Sequence, residues 1–284
     1  MNIKISNSHL TATINLKGAE LTSVVKNSSK RNYLWEGNPK YWGKHAPILF
    51  PIVGTLKDNY YTYKTTTYQL SRHGFARDMN FELIHHTESE AHFSLQFSTE
   101  TLLVYPFEFE LQVKYTLVDN KLVIGYHVTN NSICEMPFSI GGHPAFALAK
   151  NIENYSLFFK DDSKLTSYTL KNDLLSEEKQ VIELKNKSLA LHYNLFVKDA
   201  LVIKSMNSKS ITLMENEKPI LHFNFQDFPN FGIWTKQNAP FICLEPWLGY
   251  ADTDTASGNI KEKEAIQLLQ VNCSKEFCYS IEIL

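Results

Sequence analysis

From Phe107 to Leu117 every second residue is apolar (Phe107, Phe109, Leu111, Val113, Tyr115, Leu117), and the residues between are Glu, Gln, Lys and Thr. A period of two puts alternate side chains on opposite faces of a pleated strand, so this stretch must have one buried and one wetted face. Asp119-Asn120 reads as a turn, and Leu122, Ile124, Tyr126 and Val128 resume the alternation. Together they predict an antiparallel hairpin.

A hairpin with an apolar face needs more strands to cover it, and the chain supplies them. Leu10 to Ile14, Leu21 to Val25, Phe81 to Ile84, His92 to Phe97, Leu201 to Lys204 and Ile211 to Met214 read as strands, followed by Ile220 to Phe225, Gly232 to Thr235, Phe241 to Leu244 and Cys278 to Ile283. Helical periodicity is scarce; only Ile260 to Leu269 predicts a short helix. Parallel sheets need crossover helices that are missing here, so the expectation is an all-β chain built as one large antiparallel β-sandwich over residues 1–284. No linker or fixed-period repeat divides it. Trp42 to Gly54 and Tyr250 to Gly258 break the alternation and are expected as loops beside the sheets, where sites tend to be built.

Composition narrows the class. With 43% apolar residues and 13% aromatics the chain can bury a large core. Its formal net charge is −2, without a basic block, which argues against nucleic acid as a partner. No run approaches the roughly eighteen apolar residues of a membrane span, and the chain starts directly in an alternating pattern, so a cytoplasmic protein is expected. Four cysteines show no paired spacing and are expected as reduced thiols, a Cys273–Cys278 disulfide being conceivable but not favoured.

Three stretches carry titratable groups on stiff backbone. Gly141-Gly142-His143-Pro144 presents an imidazole, the side chain whose ordinary pKa lies closest to neutrality, after two glycines and before a proline that biases it toward extended backbone. Leu244-Glu245-Pro246-Trp247 delivers a carboxylate in the same manner. Arg72-His73-Gly74-Phe75-Ala76-Arg77 sets a second imidazole between two guanidiniums, in a chain whose only other arginine is Arg31. Arginine offers a rigid fork of donors to hydroxyl, carboxylate or phosphate oxygens, although one of these two is expected to pair with Asp78 or cap a turn. His143 and Glu245 together would form an acid/base pair. Trp247 and the Trp35/Trp42 region offer flat apolar faces on which a pyranose can stack. No metal-ligand spacing is present: His85 and His86 are adjacent on a strand and point to opposite faces, and His127 falls on a wetted face. No cofactor is expected. The chain also lacks a nucleophile elbow, a P-loop and a dinucleotide fingerprint.

The chain resembles the aldose 1-epimerase (galactose mutarotase) superfamily, and most closely its LacX-like branch. The resemblance rests on Ile48-Leu49-Phe50-Pro51-Ile52-Val53-Gly54, His73-Gly74-Phe75-Ala76-Arg77, Gly141-Gly142-His143-Pro144-Ala145-Phe146, Phe231-Gly232-Ile233-Trp234-Thr235 and Leu244-Glu245-Pro246-Trp247, in family order across nearly the whole chain. It implies a β-sandwich of the galactose-mutarotase type, a sugar substrate and a place in galactose or lactose metabolism, in a monomer or homodimer. It makes Glu245 the general base and His143 the general acid, with His73 orienting the sugar and Asp199 as the Asp that holds sugar hydroxyls. The starting ionisation would be imidazolium and carboxylate, the ordinary order of the two pKa values. Galactose mutarotases carry an Asn-Arg pair after the first Pro/Gly motif, where this chain has Gly54-Thr55-Leu56-Lys57, so the resemblance does not extend to galactose as the substrate. Two other readings remain open on the same fold: hexose-phosphate 1-epimerisation, with Arg72, Arg77 or a nearby Lys gripping the phosphate, and non-catalytic sugar binding.

Overall fold

A computed structural model describes residues 1–284. The predicted hairpin forms from Phe109–Val118 and Lys121–Asn130, with Leu122 opposite Leu117 and Asp119 in the turn at φ +51°. It is the centre of a nine-stranded antiparallel sheet that runs from Ser188–Ala190 at one edge, through Ser274–Ile283 beside the hairpin, to Glu90–Gln96 and the edge strand Glu82–His86. The second large sheet has eight strands. Its order is Leu174–Glu183, Lys164–Lys171, Leu201–Ile203, Asn230–Trp234, Phe241–Leu248, Ile140–Gly142 and Ile48–Leu49, with Ala145–Ala147 also pairing with Phe241–Leu248.

Between the sheets lies one contiguous cluster of 67 buried apolar residues, which makes the pair a sandwich. Phe93, Phe109, Tyr126 and Ile281 enter it from the nine-stranded sheet, and Ile140, Ile203, Ile233 and Leu244 from the eight-stranded one. Each such side chain contributes about 1.5–3 kcal/mol on full burial.

Alternation in the eight-stranded sheet also decides what faces away from the core. Ile242, Leu244 and Leu248 point inward, so Cys243, Glu245 and Trp247 point to the outer face. Phe231 and Ile233 point inward, which turns Gly232 and Trp234 outward; Val202 faces out between Leu201 and Ile203 for the same reason. The outer face of this sheet carries the site.

The helix expected over Ile260 to Leu269 does not form. Ile260–Glu262 is one 3₁₀ turn, Ala265 adopts φ +60°, and Gln267–Leu269 is a strand paired with Met136–Phe138. Lys263 is buried at this break, where its ammonium donates to Asp252 at 2.6 Å and to the Tyr250 carbonyl at 2.7 Å. These buried bonds outweigh a local helical preference too short to nucleate. The only α-helical turn, Thr99–Leu102, is closed by a capping box on Ser98. The Phe241 strand runs on through Pro246 to Leu248, beyond its expected end. The hairpin of Lys164–Lys171 and Leu174–Glu183 went unpredicted because polar residues dominate its second strand. All four cysteines are free, and no helix is long and apolar enough to cross a membrane.

Candidate active site

Glu245 sits in the middle of the Phe241–Leu248 strand with only 1% of its surface exposed. His143 follows the short Ile140–Gly142 strand, and its backbone N–H donates to the Pro47 carbonyl at 3.1 Å. The two strands are neighbours in the sheet. Imidazole Nε2 and carboxylate Oε2 therefore come within 3.1 Å of each other, although the residues are about a hundred positions apart in sequence.

The glycines before His143 serve close approach. A Cβ at Gly141 would lie 2.7 Å from Trp247 Cδ1, and one at Gly232, on the other side, 2.4 Å from Trp247 Cη2. The Trp247 indole is slotted between two strands that can admit it only as glycine. It forms part of the floor of a cleft of about 670 Å³, a size typical of small-ligand sites.

His143 is boxed by rings. Trp42 lies against its face, centroids 4.8 Å apart and 29° from parallel, while Trp234 and His73 meet its edge at 5.9 and 5.8 Å. Trp35 does not line the cleft; it is buried behind it and donates its indole N–H to the Trp42 carbonyl at 2.9 Å, fixing the loop that carries Trp42. The role of Trp234 was missed in the sequence, yet it follows from the inward positions of Phe231 and Ile233 on the same strand.

His73 occupies φ +69° beside Gly74 at φ +70°, where any Cβ would meet the Phe50 carbonyl oxygen at 2.2 Å. The Gly54 N–H donates to His73 Nδ1 at 3.0 Å. A neutral imidazole has one lone-pair nitrogen, so the tautomer that accepts this bond carries its proton on Nε2. Arg72 Nε–H points at that same Nε2 from 3.3 Å, so the ring accepts from Gly54 in one tautomer and from Arg72 in the other.

Arg72 further donates to Asp173 at 2.9 Å and lies 3.9 Å from Asp199, which introduces the Leu201–Ile203 strand at φ +77°. Arg77 donates to the Arg72 carbonyl at 2.7 Å and lies 3.6 Å from Asp78. All seven residues singled out in the sequence, His73, Arg72, Arg77, His143, Asp199, Glu245 and Trp247, line this one cleft.

Burial shifts both Glu245 and His143 away from their ordinary values. It drives the Glu245 carboxyl well above its ordinary value; the Arg72 charge pulls the other way, and the Asp199 charge adds to the rise. Burial lowers His143 to about 3, and the positive charges of Arg72 and Arg77 add to this. His73 is held well below its ordinary value, first by burial and then by His143 and the two arginines. Burial thus works against the charged form of both Glu245 and His143, opposing the imidazolium and carboxylate of the expected starting pair. Several buried polar atoms have no hydrogen-bond partner here: His143 Nδ1, Glu245 Oε2, Arg77 Nε and Trp247 Nε1. Native proteins leave few such groups unpaired, and their convergence in one cleft marks it for a polar ligand.

A family model described as aldose 1-epimerase matches residues 1–265. Two curated relatives, the chromosomal and plasmid LacX proteins of Lactococcus lactis subsp. lactis, are each 36% identical over 301 aligned residues, covering 100% of both chains. Among solved structures, a galactose mutarotase related enzyme from Lactobacillus acidophilus is similar with a TM-score of 0.95 and 33% identity, over 100% of this chain and 97% of that one. A galactose mutarotase-like protein from Lactobacillus casei has a TM-score of 0.91 and 30% identity, over 100% of each chain.

Proposed function

The chain belongs to the aldose 1-epimerase family, a family of carbohydrate epimerases, and on that premise we propose that it interconverts the α and β anomers of an unphosphorylated aldohexose, with Glu245 as general base and His143 as general acid. The observation that carries this reading is the 3.1 Å approach of His143 Nε2 to Glu245 Oε2 at the wall of a polar cleft. The C1 hydroxyl and the ring oxygen hang from one carbon, so an acid and a base converging on one edge of the ring can serve both.

Glu245 takes the proton of the C1 hydroxyl while His143 gives one to the ring oxygen. The C1–O bond of the ring breaks, the C1 hydroxyl oxygen becomes the aldehyde oxygen, and the open chain rotates about C1–C2. Closure on the other aldehyde face returns both protons, so atoms and protons balance. Neutral imidazole with carboxyl, and imidazolium with carboxylate, hold the same number of protons. The two atoms stand 3.1 Å apart, so a proton passes directly between them once the imidazole N–H lines up with the carboxyl oxygen. Sugar hydroxyls donating to the carboxylate stabilise its charged form against burial.

The remaining groups bind and orient. The His73 imidazole and the Arg72 guanidinium, side by side at the cleft, bind sugar hydroxyls. Asp199, at the rim, accepts from sugar hydroxyls, and the faces of Trp247 and Trp234 are offered to the ring. An unphosphorylated sugar is favoured because Arg72 is already paired with Asp173 and Lys236 with the Tyr41 carbonyl at 3.0 Å, which leaves Arg77 Nε as the unpartnered cationic donor.

Anomer exchange of glucose, galactose and their 6-phosphates, followed by polarimetry, tests the reading. Exchange of a free hexose well above the buffer rate is expected. Exchange confined to the phosphates would replace the substrate assignment, and saturable binding without exchange would replace catalysis by sugar binding.

A further inference from the structure

His85 and His86 point to opposite sides of the edge strand, and neither meets a metal ligand along its own strand. Across the hairpin the situation differs. His85 pairs with His92 on the Glu90–Gln96 strand, and Glu90, two residues before His92, shares their face. The two imidazole centroids are 4.8 Å apart, and the Glu90 carboxylate reaches both rings: Oε1 is 2.9 Å from His85 Nε2 and Oε2 is 3.8 Å from His92 Nε2. One donor atom from each of the three lies within 4.8 Å of the others.

His92 Nε2 adds an independent observation. It is buried, turned toward Glu90, and has no hydrogen-bond partner. A carboxylate that merely tied the hairpin together through His85 would leave this nitrogen unexplained. The site is reachable, since His85 is 45% exposed in its side chain. None of the three residues lines the sugar cleft.

We propose that His85, Glu90 and His92 form a binding site for a divalent late transition metal such as Zn²⁺. Two imidazoles with one carboxylate suit zinc, copper or nickel, whereas calcium and magnesium call for all-oxygen sets. Donors bound to one zinc at about 2.0–2.2 Å stand roughly 3.3 Å apart in a tetrahedron, so small side-chain rotations close the triangle. The fourth position opens to solvent. Lys114, opposite His92 on the next strand, has its ammonium 3.4 Å from Glu90 Oε2 and competes with the metal for that oxygen; half exposed, it can swing away. Binding to the folded chain alone would raise stability by mass action and fasten an edge strand that has no outer neighbour.

The test is calorimetric titration of Zn²⁺ into the full-length protein in a Cys273→Ser, Cys278→Ser background, which removes the two exposed thiols. His143, Cys243 and Glu245 also bring donor atoms together, so His143→Gln is a necessary arm. The expected result is one Zn²⁺ per chain, weakened by about tenfold or more in His92→Ala and His85→Ala, unchanged in His143→Gln, and tightened in Lys114→Gln. Zn²⁺ should raise the unfolding midpoint of the background protein and leave that of His85→Ala unmoved. His85 is exposed enough that its loss should not impair folding, so this arm stands even if His92→Ala is unstable. Absence of binding, binding that survives both hairpin substitutions, or loss of binding in His143→Gln would overturn the proposal.

Discussion

The indole of Trp42 lies against the face of the His143 imidazole, 4.8 Å centroid to centroid and 29° from parallel. An aromatic face attracts a cation, so the stack favours the imidazolium that the proposed reaction requires, against the burial that opposes it. Such a contact is worth about 0.5–2 kcal/mol. Trp42→Leu should lower the anomerisation rate by about twofold to thirtyfold, and Trp42→Phe by less, with urea-unfolding midpoints near wild type in both. Equal losses in the two variants would mean that the ring acts only as packing.

Trp247 depends on its slot. A methyl group at Gly232 would enter the indole at 2.4 Å, so the ring must shift from its slot toward the cleft. Gly232→Ala is expected to cost about 1–3 kcal/mol in urea unfolding and to reduce activity with it.

The buried pair of Lys263 and Asp252 ties the loop after the Glu245 strand to the turn after Gly54, because the second Asp252 oxygen accepts the Lys57 N–H at 3.0 Å. Lys263→Met strands a buried carboxylate and should cost about 3–5 kcal/mol in denaturant unfolding. Adding Asp252→Asn should recover part of that loss. A double variant as unstable as the sum of the two singles would show that the residues act independently.

Burial shifts His143 down and Glu245 up, and each shift gives stability a pH slope of its own sign. The unfolded chain protonates His143 below about 6.5, but the folded chain holds it neutral down to about 3, so this residue makes stability fall as pH drops through that window, by about 1.4 kcal/mol per pH unit. Glu245 acts with the opposite sign. The unfolded chain releases its proton above 4.5 while the folded chain keeps it, so stability falls as pH rises past 4.5. Between 4.5 and 6.5 the two slopes offset one another. Glu245→Gln should unmask a loss of stability on acidification there, and His143→Asn a loss on alkalinisation, both read by urea unfolding across pH. The profile of kcat/KM should likewise lack an inflection near the ordinary histidine value.

How far the chain could be read in advance differs from element to element. The Phe109–Val118 hairpin was legible because one face is buried and the other wet, the condition under which alternation is written in sequence. Lys164–Lys171 and Leu174–Glu183 were not, because polar residues fill the second strand and pairing rather than burial holds it. The helix predicted over Ile260 to Leu269 failed because the buried ammonium of Lys263 is a tertiary fact. The residues that line the cleft were legible through their stiff Gly and Pro neighbours and a family likeness, while Trp234 needed the sheet face to be known. The pKa shifts of His143 and Glu245 could not be read, since the burial that causes them arises from strands distant in sequence.

The most direct test of the acid/base assignment is anomer exchange, by polarimetry or NMR, in Glu245→Gln, His143→Asn and the double variant. Each single substitution should lower the rate by about 10²–10⁴-fold while sugar binding persists. The double variant should be little worse than the more damaging single, because the two residues act as one unit. Exchange at the wild-type rate in either single variant would remove that residue from the chemistry and contradict the mechanism.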